Sequence, residues 1–443
     1  MSALKTTLLF SLIVLVLIAC DPTKSNQKSE DYRITGDALQ AEYVVFAWND
    51  LGMHCLNPTY DEAVILPPYN TVWAQVVKRG KYPEIVSSGL SVEYSILNNS
   101  YSYGKTDAFD ADFKQFWDNV ESLFATPLEN DKGLNLHDPQ IHNGLAGSMI
   151  AKDNYFVVDG MPVTPVNDNQ TWNPFQVADL TVKNSGGTVV AGTHCTVPTS
   201  DEINCAKCHG PQPFDNILEE HDKVNGQSLK SMKPVLCAGC HGSPALGTSG
   251  KGSSGKYLSE AIHDAHASRG AACYDCHPGE QTHCNRSKAH TAEDGNCTAC
   301  HGAMDNVAGT IQNGRVPWVT EPRCVNCHSE SIADVNAGTV LYRNAQGHGG
   351  MYCAACHGSP HAQIPSNVES DNYQPTQYQS SQLVIGSCGV CHKDSRGDNN
   401  IKEFAEAHGG SSPGKPNACH ICHTEIPSTN TALWPHSFAW MAR

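Results

Sequence analysis

Sixteen of the twenty cysteines fall into eight pairs separated by two residues, and each pair is followed at once by histidine. The sites are Cys205-Cys208-His209, Cys237-Cys240-His241, Cys273-Cys276-His277, Cys297-Cys300-His301, Cys324-Cys327-His328, Cys353-Cys356-His357, Cys388-Cys391-His392 and Cys419-Cys422-His423. Two thiols at this spacing can add across the two vinyl groups of a porphyrin while the adjoining imidazole reaches the iron from the proximal side. Zinc ribbons share the cysteine spacing, but zinc does not require histidine as the next residue. With 22 histidines in 443 residues, histidine falls at a given position about 5% of the time, so eight accidental successes are on the order of 10⁻¹⁰. The motifs therefore predict eight covalently attached haem c groups, with the sixteen cysteines as attachment points and the eight histidines as proximal iron ligands.

Eight irons ask for eight further ligands. Fourteen histidines lie outside the motifs, and ten of them fall in the C-terminal part. His221, His263, His266, His290, His348, His361, His408 and His436 form the expected distal set, with His283 and His420 in reserve. His263 and His266 lie in KYLSEAIHDAHASRG, whose helix formers predict a helix that presents both on one face, able to serve two adjacent sites. His221 lies in ILEEHDKV, again expected to be helical. Met232, Met304 and Met351 are close to motifs and could replace a histidine, although the histidine surplus makes that unnecessary.

Residues 201–443 must serve all eight motifs, about 30 residues for each, too few to wrap every cofactor separately. Successive first cysteines are 24 to 36 residues apart, with Gly, Pro, Ser and Asn scattered between them. The expected architecture is loop-rich and sparsely helical, organised around a chain of porphyrins that forms most of its core. Gly210, Gly242, Gly302 and Gly358 directly follow motif histidines; turn chemistry and close approach of backbone to porphyrin both suit glycine there.

Upstream the character changes. AEYVVFAW, NTVWAQVV, LSVEYSIL, DNYFVV and FQVADLTVKN are β-rich runs bounded by Asn, Gly and Pro, and DADFKQFWDNVESLF has helical periodicity. The fold class expected for the whole chain is thus a mainly-β, sandwich-like N-terminal domain over 32–199, followed by an octahaem domain over 200–443. His54-Cys55 and His194-Cys195 lie near the two ends of the β region. A Cys55–Cys195 disulfide is the first expectation in an oxidising compartment, with a small metal site or independent thiols as alternatives. Cys284 is either a free thiol or a partner for Cys55 or Cys195.

At the N-terminus, Lys5 precedes an apolar run from Leu8 to Ile18, too short to span a bilayer comfortably, and Ala19-Cys20 follows. The pattern resembles a bacterial lipobox. It implies a signal peptide over 1–19, a diacylglyceryl-modified Cys20 as the mature N-terminus, and a polar tether over 20–31; an ordinary signal peptide cut nearby is the alternative. The formal charge is -16, from 29 Lys plus Arg against 45 Asp plus Glu, so a nucleic-acid partner is not expected. Loss of Lys5 takes the mature chain to -17.

Eight CxxCH motifs behind a lipobox resemble the multihaem c-type cytochromes of bacteria that respire extracellular metals and electrodes. The resemblance covers the last 240 or so residues and the signal; FAWNDLGMHC looks similar to segments that accompany such cytochromes, with no function attached. It implies bis-histidine haems in a stacked and T-shaped chain and a lipid anchor in the cell envelope, at the outer membrane or cell surface. Electron relay to partner cytochromes, a mineral or a shuttle would follow, with a homo-oligomer or filament as a further possibility. The competing expectation is an octahaem oxidoreductase acting on a small nitrogen or sulfur oxyanion, as in relatives of hydroxylamine oxidoreductase, nitrite reductase and tetrathionate reductase. Such catalysts need an open iron, often marked by lysine in place of the motif histidine, and all eight motifs here end in histidine.

Overall fold

A computed structural model describes residues 41–107, 111–279, 281–290, 297–327 and 340–393. The strands are β1 (Tyr43–Asn49), β2 (His54–Cys55), β3 (Ala63–Val64), β4 (Asn70–Lys78), β5 (Glu84–Ile85), β6 (Leu90–Ile96), β7 (Ala146–Ser148), β8 (Ile150–Ala151), β9 (Phe156–Met161), β10 (Phe175–Asn184), β11 (Val189–Ser200) and β12 (Val235–Leu236). Among the described residues they make one five-stranded sheet ordered β1-β4-β9-β8, with β5 beside β4, and another ordered β2-β11-β10-β6-β7. Side chains from both sheets meet in one apolar core, including Val45, Val72, Val76, Val92, Phe156, Leu180, Val182 and Val197. That is the face-to-face arrangement of a sandwich.

Alternation explains why these runs become strands. In β10 every second residue is buried, as a sheet with one covered face requires. β1 is buried almost throughout because both of its faces are used. Val45 and Ala47 point into the sandwich core, whereas Val44, Phe46 and Trp48 pack against Met351, Tyr352, Ala354 and Tyr378 beside the sixth motif. As an edge strand, β1 also has backbone groups that need partners. The short helix Tyr373–Gln379 supplies them: Gln374 Oε1 accepts from Ala47 N at 3.0 Å, its Nε2 donates to Ala47 O, and Tyr378 Oη donates to Val45 O.

The expected helix forms at Lys114–Phe124 and buries Phe116, Trp117, Val120 and Leu123 on one stripe. β11, the longest strand, was not anticipated from sequence. Gly192 and Pro198 interrupt its pattern, yet it pairs with β10 from Val189 to Pro198. Tertiary pairing there overrides local propensity. Beyond Ser200 the described chain consists of turns, short helices and loops, apart from β12, which pairs in parallel with β3. None of the described helices is long and apolar enough to cross a membrane.

Candidate functional site

Each described motif is built as a single helical turn. His209 N donates to Cys205 O at 2.9 Å, and His241, His277 and His392 repeat that bond to Cys237, Cys273 and Cys388. The turn sets the histidine one helical step beyond the first cysteine, on the same side of the backbone. The following glycine is in the left-handed region at Gly210, Gly302 and Gly358, with φ of +78°, +74° and +85°, and at Gly242 a side chain would meet Gly250 O at 1.9 Å.

Among the described residues, five motif histidines face a histidine from elsewhere in the chain. Ring centres are 6.2 Å apart for His209 and His266, 6.4 Å for His241 and His221, 6.1 Å for His277 and His263, 6.1 Å for His301 and His361, and 6.4 Å for His392 and His348. An iron between two imidazoles, with nitrogen bonds of about 2.0 Å and each nitrogen about 1.1 Å from its ring centre, would separate the centres by roughly 6.2 Å. The pairs therefore fit a bis-histidine haem iron.

The other ring nitrogen is tied down at several sites. His209 Nδ1 lies 2.9 Å from Asn216 Oδ1, and His241 Nδ1 is 2.9 Å from Ser254 Oγ. His263 and His266 donate to the carbonyls of Ser259 and Ile262 at 2.7 Å each, and His392 Nδ1 is 3.1 Å from Lys81 O. A hydrogen bond at Nδ1 fixes the ring's rotation and leaves Nε2 as the available ligand atom. Burial, with His263 and His301 as neighbours, holds the His277 imidazole down at about 4. Burial followed by the His301 ring does the same for His361, also to about 4. Both are neutral at physiological pH, the form that binds a metal. His361 additionally has φ +58°, a left-handed conformation that a non-glycine residue adopts at a cost and that often marks functional positions.

Local structure explains how neighbouring sites come together. Helix Pro213–Asn225 opens with Pro213 at its first position. Its Asn216 holds His209 and its His221 faces His241, so it touches the first and second motifs. Helix Leu258–His266 places His263 toward the third motif and His266 toward the first. Lys207 and Asp275 join those two motifs directly at 2.5 Å. Further along, burial first and then a thiol of the adjoining motif raise the pKa of two cysteines. Cys324 acts on Cys353, which rises to about 11, and Cys356 acts on Cys391, which rises to about 12. Among the described residues, the second motif thus adjoins the first and the first adjoins the third, and from the third to the seventh each motif adjoins the next.

The other expected residues are placed as follows. His290 lies in a turn, with Nδ1 3.5 Å from Ser287 Oγ, and His357 ends the helix Cys353–His357. His283 packs edge-on against Tyr274 at 5.1 Å. Met232 is largely exposed, Met304 opens the helix Met304–Gln312, and Met351 is in the apolar cluster under β1. Cys20, His328, His408, Cys419, His420, Cys422, His423 and His436 lie outside the described residues.

One expectation is corrected. Cys55 is opposite Ser200 in the β2–β11 pairing, while Cys195 lies five residues earlier in β11, opposite Ala178. At about 3.3 Å per residue this is roughly 16 Å, far beyond the span of about 7 Å that a disulfide tolerates. Both are free thiols. The thiol near Cys55 is Cys284, which adds to the effect of burial in raising it. Among the described residues no cluster of three metal-ligating side chains is present, so the His54-Cys55 and His194-Cys195 pairs do not combine into a metal site. Instead His54 bonds Asp50 and His194 bonds Asp179, each at 2.9 Å.

No local sequence pattern pointed to the residues that orient this machinery. Arg286 is fully buried, bonds Asp371 through Nε at 2.9 Å and Nη2 at 3.1 Å, and donates to Gly52 O at 2.5 Å. FAWNDLGMHC now has a structural reason as well. Asn49 accepts from Leu51 N at 3.1 Å and Gly52 N at 2.7 Å, and its amide bonds Asn70 and Thr71. The turn brings the Leu51 backbone to the His361 ring.

No family model matches the sequence, and no curated protein matches it. Among solved structures, the crystal structure of MtrC from Shewanella baltica OS185 is 15% identical over 58% of this chain and 44% of that one, with a TM-score of 0.12. The chain thus spans less than half the length of that protein, and so low a score carries no argument about fold.

Proposed function

We propose that this chain is a multihaem c-type cytochrome whose eight motifs hold a line of haems for electron transfer in the cell envelope. The observation that carries the reading is the set of five facing histidine pairs, at the separation that a six-coordinate iron requires. Each bound haem would supply a reversible one-electron centre.

The protein's own contribution is positional. The motif cysteines would fix each group covalently, the five facing histidine pairs would each hold an iron between two imidazoles, and the hydrogen bonds at Nδ1 keep rings at those sites from turning. Helices Pro213–Asn225 and Leu258–His266 each reach two sites, which holds neighbouring centres at a fixed spacing. Two facing imidazoles at each of these five sites suit relay rather than substrate binding, so an oxidoreductase is the weaker reading. The mature chain would be anchored by lipid on Cys20 and exchange electrons with other envelope cytochromes or extracellular acceptors. Its charge of -16 favours docking to cationic patches, with a salt-sensitive association rate.

Expression with haem-attachment machinery tests the reading. Intact mass should show eight haem increments and a lipidated N-terminus, and electron paramagnetic resonance of the oxidised protein should show only low-spin iron. A substantial high-spin signal that responds to nitrite, hydroxylamine or tetrathionate would replace relay by catalysis.

A further inference from the structure

We propose that the β sandwich is an outer shell for the seventh site, with Arg79 as a positioning residue that also sets the charge beside that site. The inference rests on the electron-relay reading and assigns a role to the N-terminal region.

The turn between β4 and β5 reads Lys78-Arg79-Gly80-Lys81-Tyr82, and it grips the seventh motif through backbone and side chain together. Gly80 N donates to Cys391 O at 3.3 Å, Lys393 N donates to Gly80 O at 3.0 Å, and the His392 ring bonds Lys81 O at 3.1 Å. Arg79 is the buried member, 7% exposed. Its Nη2 donates to Gly389 O at 2.8 Å, inside the loop between Cys388 and Cys391, and its Nη1 donates to Ala41 O at 3.1 Å. A guanidinium keeps its charge under all physiological conditions.

A fixed positive charge in a poorly solvated place penalises any neighbouring centre that gains positive charge on oxidation. Arg79 should therefore favour the reduced form at the seventh site over its neighbours, biasing electrons toward that site. The carbonyl of Lys81 meanwhile fixes the plane of His392, as outer partners of metal-bound histidines do.

The test is a redox titration of the fully loaded protein, followed by optical spectra and electron paramagnetic resonance. Arg79→Gln should move one of the eight equivalents to lower potential and leave the other seven in place. Arg79→Lys, which retains charge but loses the two-carbonyl fork, should restore most of the potential while the low-spin signal of that site stays altered. Lys81→Glu changes an exposed side chain of the same turn, so it tests the idea even if Arg79→Gln does not fold. It should shift the same equivalent in the same direction by less, and the shift should shrink at high salt. Titrations of folded Arg79→Gln or of Lys81→Glu that superimpose on wild type would overturn the proposal. The relay reading would survive that result, since it fails only if wild type lacks eight low-spin centres.

Discussion

The two halves of this molecule build their interiors by different means. In the sandwich, Val45, Val72, Val92, Phe156 and Leu180 interdigitate between two sheets and close the core with side chains alone. Past Ser200, buried apolar residues occur in small groups, such as Phe214 and Leu218 against Ala63, or Ala308 and Ile311 on one helix. The structural centres there are facing imidazoles about 6 Å apart. A chain with so few residues per motif cannot bury enough apolar surface by itself. The contrast teaches that one half carries its own stability while the other depends on what its cysteines and histidines hold. The joint between them is apolar as well, with Phe46 and Trp48 of β1 against Tyr352 and Tyr378.

The largest effect should come from withholding the haems. Made without the attachment machinery, the protein should keep slow amide exchange in β1, β4, β6, β10 and β11, while residues 205–393 lose protection and become protease-sensitive. Protection of the motif segments in the unloaded chain would erase the comparison.

Next is a cavity in the self-sufficient half. Leu180 is fully buried between the sheets, so Leu180→Ala should cost about 2–5 kcal/mol of sandwich stability in denaturant unfolding. The haem spectrum should stay unchanged until the sandwich melts. An immediate spectral change would mean that the two halves unfold as one.

Single ligands should act locally. Replacing His263 by alanine should convert the third-motif site to high spin, and replacing His266 the first, each about one eighth of the iron signal. The pairing of His263 with His277 and of His266 with His209 sets that assignment. If both substitutions perturb the same centre, the helix does not straddle two sites.

The smallest effect concerns a carboxyl where the sandwich ends. Asp201 is buried, accepts from the Trp172 indole at 3.2 Å, and is pushed well above the carboxylate range by burial first and the Asp107 carboxyl second. Because its folded value is raised, the stability it contributes is present at low pH and is lost as pH rises through that value. Asp201→Asn should therefore stabilise the protein at neutral pH by about 1–3 kcal/mol, with the gain vanishing toward pH 4. Thermal unfolding across that range would show it; a gain that does not vary with pH would mean that folding leaves the Asp201 carboxyl at its ordinary value.

The motif turns, the helix carrying His263 and His266, and the strands β1, β4, β6, β9 and β10 were legible in the sequence because each depends on local spacing. Two thiols and an imidazole within five residues define one helical turn wherever they occur, and β10 declares its buried face by alternation. β11 was missed because Gly192 and Pro198 mask a strand that β10 recruits by pairing. Long-range register also decided against Cys55–Cys195: both cysteines sit in β segments, but only strand pairing reveals that they are separated along the sheet. In the same way, the sequence alone determined the surplus of histidines, the attachment chemistry and the acidic charge. Which imidazole faces which motif, the order second, first, third along the line, and the contact of the Arg79 turn with the seventh motif depend on residues up to 311 positions apart. Such meetings arise from the packing of whole elements, which no local pattern encodes.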